Sequence, residues 1–447
     1  MSELRGYVTD VPYVLGFKSM LAPAWLDHVA LLWSFEPPCR EGGFAWCDLG
    51  CGQGVTDAIL AATHPGGMFV GIDAMPGHID HARRLATEIG AGNAQFHATD
   101  FAAALDLRLP QFDYIVAHGV YSWVGAEVRA DLHRFIDRRL KPGGLVYLSY
   151  NAMPGWLGDL PFQRLVRELG DIAEGGGAAR FAAAAATIRC LTELGAPALR
   201  DSYILRELAQ RPEDYPIGYL VHEFMHAGWE ALYVTDVRRD LAGIGLVPVG
   251  STTLIENFDA WVLDAKARDV LEAMPEGDVR ELVRDVLIDQ RLRCDVFARD
   301  ARRLPSAEQQ RRLMAADYAL TRPEPAVAYT ADSPAGRLRF DNPAARAIVR
   351  SMAAGPRPLA EIDGAAADLL ANTLALCAAG DLRPVEPTRV PVAALNRALR
   401  RRLGGPEEIP VLALPCGTAI EIDYALRGLA AGDTGARWRA FLSAHGC

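Results

Sequence analysis

The sequence lacks the features that would place it at a membrane or on nucleic acid. No apolar run is long enough to span a bilayer, and the first residues do not show the basic-then-apolar pattern of a secretory signal. Positive charge is not in excess either: the net charge is −10 at pH 7, whereas contact with nucleic-acid phosphates requires a basic surface. We therefore expect a cytoplasmic protein that binds neither a membrane nor nucleic acid.

Closely spaced cysteines of the metal-binding kind are also missing. Of the eight cysteines only Cys47 and Cys51 lie near each other, and their spacing is not Cys-x-x-Cys. Reduced thiols are therefore expected. The chain has no internal repeat, and 447 residues are too many for a single core, so we expect several domains.

A glycine-rich turn is the most informative feature that is present. A hydrophobic run that begins at residue 44 ends in Asp48, and glycines follow at positions 50, 52 and 54. This pattern predicts a buried strand, a tight turn beneath a ligand and a helix from about Val55. Because the glycines alternate, the turn differs from the G-x-G-x-x-G of dinucleotide-binding folds.

Further hydrophobic runs follow this turn, at 68–72, 94–99, 112–117 and 145–149. Their alternation with predicted helices indicates an α/β fold with a parallel sheet, in which ligands bind at the carboxyl ends of the strands. The first of these runs ends in Asp73, about twenty residues beyond the glycine turn, where a carboxylate can bind both hydroxyls of a ribose. The next ends in Asp100 and Phe101, and the third leads into His118.

This ordered set of motifs resembles the Rossmann-like class of methyltransferases that use S-adenosylmethionine (AdoMet). Residues 48–54 are similar to the first motif of that class, and 140–144 resembles the turn before its fifth strand. The resemblance covers about the first 155 residues. It implies a seven-stranded sheet, with Asp73 at the ribose and Asp100 at the adenine amino group. The residues expected to bind the cofactor are Tyr13, Asp48, Gly50, Cys51, Gly52, Gly54, Asp73, Ala74, Asp100, Phe101 and His118.

Methyl transfer from a sulfonium is an in-line displacement, so the site must mainly position a nucleophile and exclude water. His118, at the tip of the fourth strand, is predicted to face the methyl group. Aromatic residues at the proposed mouth either pack in the core or favour an amine acceptor, through cation–π contacts of about 0.5–2 kcal/mol. The catalytic candidates are His118, Tyr121, Trp123, Asn151 and Trp156, and the other aromatic candidates at the mouth are Tyr7, Tyr13 and Tyr150.

Residues 222–226 contain the string H-E-x-x-H, which on a helix can bind zinc through two imidazoles. A catalytic zinc also needs a third ligand, and none is recognisable at a suitable distance. We therefore predict no metal here. The simpler interpretation is a helix on which His222 and Glu223 hydrogen-bond to neighbouring backbone or line the substrate pocket.

The stretch around this string resembles the regulatory domain of one group of bacterial methyltransferases, which includes lysine methyltransferases that act on outer-membrane proteins. Residues 222–258 and the Arg/Phe-rich 291–299 carry the resemblance. The sequence S-Y-N-A-M-P-G-W at 149–156 is similar to one that this group has after its fifth strand. The resemblance implies a protein lysine as methyl acceptor. A small-molecule amine from a biosynthetic pathway is an alternative acceptor, and a non-catalytic regulator that binds AdoMet is an alternative function.

Helical spacing and chain breaks predict the organisation of the whole chain. We expect an AdoMet-binding domain at 1–158, a helical linker or dimerisation segment at 159–205, a mainly helical regulatory domain at 206–325 and a winged-helix-like domain at 326–447. In the last of these, Asn342 is predicted to cap a helix. The presumed third helix, 365–379, has no Lys or Arg, which favours contact with protein over DNA. A homodimer is compatible with this organisation.

Overall fold

A computed structural model gives the structure of residues 8, 10–11, 13–405, 407–421 and 433–445. Its strands are β1 Phe44–Leu49, β2 Gly67–Asp73, β3 Ala94–Ala98, β4 Phe112–Ala117, β5 Leu140–Asn151, β6 Leu246–Ser251, β7 Leu292–Arg299, β8 Asp317–Leu320, β9 Thr330–Ser333, β10 Gly336–Arg339, β11 Arg357–Pro358, β12 Leu382–Val385, β13 Val411–Leu414 and β14 Thr418–Glu421. Its α-helices are α1 Pro23–Leu32, α2 Val55–Thr63, α3 Pro76–Ile89, α4 Phe101–Ala104, α5 Ala126–Arg139, α6 Leu160–Asp171, α7 Gly177–Glu193, α8 Tyr203–Gln210, α9 Ile217–Phe224, α10 Val234–Ala242, α11 Asp259–Val262, α12 Ala265–Glu272, α13 Asp278–Ile288, α14 Ser306–Ala315, α15 Pro343–Met352, α16 Ala366–Ala378, α17 Ala393–Arg401 and α18 Asp433–Ala444.

Seven strands form the main sheet, in the order β3-β2-β1-β4-β5-β7-β6. The strand β1 lies between β2 and β4 and runs parallel to both, and β5 runs parallel to β4. The chain thus proceeds outward from β1 through β2 and β3 and then crosses to the other side of β1. This reversal leaves a crevice at the carboxyl ends of β1 and β4, the place where open α/β sheets bind ligands. The predicted seven-stranded sheet is confirmed.

Helices cover both faces of this sheet, as the sequence of β1 requires. Trp46 is fully buried in the cluster that includes residues of α1, α2 and α3, whereas Cys47 and Leu49 are buried in the cluster that includes residues of α5. Successive side chains of a strand point to opposite faces. A strand that is apolar at nearly every position is therefore stable only between two layers.

The last two strands of the sheet come from the segment that we assigned to the regulatory domain. The strand β7 pairs antiparallel with β5, and β6 pairs antiparallel with β7. Residues 140–144, predicted as a turn, instead begin β5, because Leu140 pairs with Phe112 of β4. A hydrophobic pattern identifies a strand but not its partner in the sheet. The sequence therefore could not show that the regulatory segment supplies β6 and β7. The predicted domain boundaries stay predictions.

A layer of helices lies beside the carboxyl ends of β4 and β5. Residues of α6, α7 and α9 share a hydrophobic cluster with Trp123 and Trp156, which follow β4 and β5 in the chain. Val8, Val11 and Tyr13 pack against the same cluster. The first described residues of the chain are thus held between this helical layer and the crevice of the sheet.

The C-terminal part of the chain contains the helix that Asn342 was predicted to cap and the helix predicted at 365–379, which is α16. The Asn342 side chain accepts a hydrogen bond from the Ala345 N–H at 3.0 Å and so caps α15. The strands β8, β11 and β12 form a small antiparallel sheet. The winged-helix assignment stays a prediction. Within the described ranges, none of the helices is both long and apolar enough to cross a membrane.

Candidate functional site

Two adjoining cavities open at the crevice between β1 and β4. The first is lined by residues that follow β1, β2, β3 and β4, and the second by the glycine turn and by residues 13–16, Lys18 and Leu21. Four residues line both cavities, namely Tyr13, Gly50, Gly52 and His118. Together the walls contain every residue that we predicted to bind the cofactor. The first cavity has Ala74, Asp73, Asp100 and Phe101, and the second has Asp48, Cys51 and Gly54.

The turn after β1 has a conformation that requires glycine. Gly50 has a φ of 87°, and a Cβ there would lie 2.3 Å from Val120 Cγ2. Gly54 has a φ of 69° and precedes α2, and its Cβ would lie 2.5 Å from that of Ala82. Larger side chains at these two positions would be strained and would also clash. The glycines therefore bring bare backbone to the cavity walls.

Asp73 is held in a fixed orientation at the end of β2. Its Oδ2 accepts the N–H of Gly52 at 3.0 Å, and its Oδ1 accepts the N–H of Met75 at 2.8 Å. The Nδ1 atom of His78 lies 3.3 Å from Oδ1. The carboxylate thus links the turn after β1 to the start of α3. Asp100 is fixed in a similar way, because its Oδ1 accepts the N–H of Ala103 at 2.8 Å and caps α4.

Two buried carboxyl groups beneath this turn form no ion pair with any residue that the structure describes. Asp48 Oδ1 and both carboxyl oxygens of Asp57 are buried without a hydrogen-bond partner. Burial, followed by mutual repulsion, raises the pKa of Asp48 well above its usual value. Burial, with a smaller contribution from the charge of nearby Asp73, raises the pKa of Asp57 to about 7. AdoMet carries a sulfonium and an ammonium, so an acidic, uncompensated site suits it.

Asp57 was not predicted from the sequence. It lies in the first turn of α2, nine positions after Asp48, and only the reversal of the chain at the glycine turn brings the two together. No spacing rule marks such a pair. Lys18, on the wall of the second cavity, was missed as well, because nothing in the sequence near it forms a motif.

His118 follows β4 and lines both cavities. Its Nδ1 lies 2.8 Å from the Tyr147 hydroxyl, and the next residue, Gly119, donates its N–H to Ser149 Oγ at 2.8 Å. Burial, and after it the charge of Lys18, lowers the pKa of His118 to about 3. The imidazole is therefore neutral at physiological pH.

Aromatic rings form one wall of the first cavity. Tyr13 and Trp123 meet edge to face with their ring centroids 5.4 Å apart, and both rings line the cavity. The Tyr13 ring also packs edge to face on His222, at 5.4 Å. The wall thus combines a residue from before β1 with one from after β4, and His222 of α9 packs on the first of them.

Three of the catalytic candidates lie in the interior and not on the described walls of either cavity. Tyr121 contacts His133 Nε2 through its hydroxyl at 2.8 Å, Asn151 Nδ2 donates to Glu223 Oε1 at 2.6 Å, and Trp156 Nε1 donates to the Arg291 carbonyl at 2.8 Å. For Asn151 the reason is that β5 continues to residue 151 and is covered by β7. Tyr150 is likewise buried, and Tyr7 lies outside the described residues.

The two histidines of the H-E-x-x-H string contact the first residues that the structure describes. His222 Nε2 lies 2.7 Å from the carbonyl oxygen of Val11, and His226 Nδ1 accepts the N–H of Val8 at 3.3 Å. The helix α9 ends at Phe224, so His226 lies beyond it. Glu223 is bound to Asn151 and, at 3.2 Å, to Trp229 Nε1. The described residues contain no cluster of three His, Cys, Asp or Glu side chains arranged for a metal ion.

A sheet of this order defines a class I AdoMet-dependent methyltransferase when a glycine turn after β1 and carboxylates after β2 and β3 surround one site. Comparison with known proteins agrees. Residues 47–146 match the family model described as a methyltransferase domain, and residues 217–299 match that of the predicted methyltransferase regulatory domain. The chain belongs to the AdoMet-dependent methyltransferases that carry this regulatory domain, and its cofactor is AdoMet.

Individual relatives extend the comparison over most of the chain. The uncharacterized protein sll1526 of Synechocystis is 31% identical over 362 residues, which cover 81% of this chain and 72% of that protein. The trans-aconitate 2-methyltransferase of Methylobacterium nodulans is 34% identical over 140 residues, 31% of this chain and 48% of that one. The structure of PKMT2 from Rickettsia typhi in complex with AdoHcy superposes with a TM-score of 0.69 at 19% identity and covers 92% of this chain and 86% of that one. This last likeness concerns the fold.

Proposed function

We propose that this methyltransferase transfers the methyl group of AdoMet to an amine, with the side chain of a protein lysine as acceptor. The observation that supports an amine most directly is the neutral His118 beside the Tyr13–Trp123 wall, where the two cavities meet. The resemblance of residues 149–156 and 222–258 to a group that includes bacterial lysine methyltransferases supports the choice of lysine. A cytoplasmic location and a homodimer stay predictions.

The cofactor site follows from the residues on the cavity walls. We propose that Asp73 accepts both ribose hydroxyls, that Asp100 and Phe101 bind the adenine, and that backbone of residues 50–54 approaches the methionyl part. Asp48 would offer the unpartnered Oδ1 to a cationic group of the cofactor. When bound, AdoMet supplies an electrophilic methyl group.

The chain must also bring the acceptor nitrogen to that methyl group without its proton, since an ammonium has no lone pair. Free lysine titrates near 10.4, and burial among apolar groups lowers that value. The rings of Tyr13 and Trp123 provide such surroundings and gain about 0.5–2 kcal/mol from a cation that approaches them. The imidazole of His118 is neutral and so cannot repel the approaching amine. With its proton on Nδ1, donated to the Tyr147 hydroxyl, the ring can accept a hydrogen bond from the amine at Nε2 and so orient the lone pair of the amine nitrogen.

The test uses AdoMet labelled with tritium in its methyl group and a bacterial extract in two portions. The amines of one portion are acetylated, and those of the other are left free. We expect label in the proteins of the free portion, released as methyl-lysine by acid hydrolysis, and none in the acetylated proteins. Label found instead in the small-molecule fraction would identify a biosynthetic methyltransferase.

A matched variant separates the acceptor side from the cofactor side. His118→Ala should lower turnover far more than affinity for S-adenosylhomocysteine (AdoHcy), because the imidazole is proposed to contact the acceptor. Equal losses of affinity and turnover would argue that His118 only holds the cofactor.

A further inference from the structure

Lys18 is a rare kind of residue in this chain. The sequence has 46 basic residues, of which only Lys18, Lys141 and Lys266 are lysines, so arginine makes nearly all of its charge contacts. Lys141 is paired with Asp113 at 2.7 Å, and Lys266 is exposed in α12. Lys18 is the lysine on the wall of the second cavity, opposite the glycine turn.

The ammonium of Lys18 has no hydrogen bond or ion pair among the residues that the structure describes. Burial lowers the pKa of this ammonium. The acidic groups that act on it are Cys294, whose thiol is kept neutral by burial, and Glu421, which is exposed. Its charge acts on His118, which lines the same cavity. A partly buried ammonium that lacks a counterion creates a site for an anion.

The backbone of Lys18 is attached to the first turn of α2, beside the second cavity. Its N–H donates to Thr56 Oγ1 at 3.0 Å, which ties it to the first turn of α2. Val55 and Thr56 line the second cavity, and Gly54 gives α2 no side-chain cap. The N-terminus of a helix carries partial positive charge and favours an anion, and no side chain caps this one.

The other wall of the second cavity has the opposite charge character. Asp48 is 5% exposed and lines the cavity with Oδ1 unpartnered. No ion pair joins Asp48 to Lys18 in the described part of the chain, so each remains available for a ligand. A cavity with one acidic and one basic wall fits a group that carries an ammonium and a carboxylate on neighbouring atoms.

We propose that Lys18 binds the carboxylate of the methionyl part of AdoMet, and that this carboxylate also lies at the N-terminus of α2. Lys18 is then a residue that recognises the amino-acid end of the cofactor. The inference concerns the cofactor alone and holds whichever acceptor the enzyme uses.

The experiment compares two ligands on three proteins by calorimetry, without acceptor. The ligands are AdoMet and decarboxylated AdoMet, which differ only in the carboxylate. The proteins are the wild type, Lys18→Met, and the control Lys266→Met, which removes a lysine from the surface. We expect Lys18→Met to weaken AdoMet binding about tenfold or more, as for the loss of a charged hydrogen bond, and to change binding of the decarboxylated compound less than about twofold. Lys266→Met should bind both ligands as the wild type does.

The outcomes that would overturn the proposal are distinct. Equal losses for the two ligands would show that Lys18 only supports the fold, and unchanged binding of AdoMet would remove it from the site. Incubation with AdoMet should leave the mass of the wild type unchanged, and a gain of one methyl group on Lys18 would show that its nitrogen faces the methyl instead. If Lys18→Met does not fold, Lys18→Gln allows the same comparison. Because no acceptor is present, a result that contradicts the role of Lys18 does not bear on the proposed lysine substrate. A failure of the proposed lysine substrate likewise does not bear on the role of Lys18.

Discussion

Asp73 both binds backbone N–H groups and is the proposed acceptor for the ribose hydroxyls of AdoMet. Each of its oxygens accepts a backbone N–H, one from Gly52 and one from Met75. Those bonds hold the carboxylate at the end of β2, where the remaining lone pairs face the first cavity. A preformed acceptor of this kind loses little entropy when it binds two hydroxyls.

Replacement of Asp73 by Ala should therefore weaken AdoMet binding by about 1.5–3 kcal/mol, the loss typical of hydrogen bonds to a charged acceptor. Calorimetry measures the change. Asp80→Ala is the matched control, because Asp80 is exposed on α3, and it should bind as the wild type does. Unchanged affinity in Asp73→Ala would exclude Asp73 from the cofactor site.

The buried acids make a second prediction at the scale of residues. The pKa of Asp57 is raised to about 7 in the free protein, so below pH 7 this group holds its proton. A cation bound nearby favours the ionised form and lowers that pKa. Binding of AdoMet should then release protons, and its affinity should fall as the pH decreases from 8 to 6.

Calorimetry in buffers of different ionisation enthalpy measures the protons released. In Asp57→Asn the release near pH 7 should be much smaller, and the affinity should depend less on pH. Proton uptake on binding would contradict the assignment of Asp57 as the titrating group.

Residues at strand ends could be predicted from the sequence, whereas their neighbours from other parts of the chain could not. Asp48, Asp73 and Asp100 each end a recognisable hydrophobic run, and parallel strands place such ends at one edge of the sheet. Lys18 and Asp57 reach the same site through the fold of segments that carry no pattern of their own. The unpartnered carboxyl oxygens of Asp57 draw attention to it in the structure, and a sequence does not display them.

At the scale of elements, the first described residues form a strap over the cofactor site. We define the N-terminal strap as residues 8, 10–11 and 13–18 of the described chain. The Tyr13 carbonyl accepts from Gln53 Nε2 at 2.7 Å, and Asp10 Oδ2 accepts the N–H of Gly177 at the start of α7 at 2.8 Å. Together with the contacts of His222 and His226, these bonds attach the strap to both the sheet and the helical layer.

Loss of one such attachment should loosen the strap. His222→Ala removes the contact with the Val11 carbonyl and should weaken AdoHcy binding by about 0.5–1.5 kcal/mol, mostly through faster release. Stopped-flow displacement of AdoHcy measures that rate. Val11→Ala keeps the carbonyl and should release AdoHcy much more slowly than His222→Ala. Equal release rates in His222→Ala and the wild type would show that the strap does not retain the cofactor.

The catalytic candidates that lie in the interior also belong to this scale. Asn151 and Trp156 follow the apolar run 145–149, whose end looks like the end of a strand. In the structure Asn151 pairs with Leu292 of β7, so β5 ends later than the apolar run suggests. The side chain of Asn151 therefore points into the interior. The direction of a side chain depends on where its strand ends and on which strand it pairs with. Only the end of the strand can be estimated from the sequence.

At the scale of the whole molecule, the catalytic sheet and the regulatory segment share one hydrogen-bonded structure. The strand β5 is buried along nearly all of its length between β4 and β7. A chain cut after residue 158 would leave β5 as an exposed apolar edge, which promotes aggregation.

We therefore expect residues 1–158 alone to aggregate and to bind no AdoHcy, in contrast to the full chain. Size-exclusion chromatography with calorimetry of any soluble fraction tests this. A monomeric 1–158 fragment that binds AdoHcy would show that β6 and β7 are dispensable additions to the sheet.

The same arrangement sets the order of events during synthesis. After β5 has left the ribosome, residues 152 to 299, 148 in all, must follow before β7 can cover it. At about 5–20 residues per second this takes roughly 7–30 s, far longer than a hydrophobic collapse. Throughout that interval the nascent chain carries an open apolar strand edge. We therefore expect the newborn enzyme to depend on chaperones until its regulatory segment has been translated.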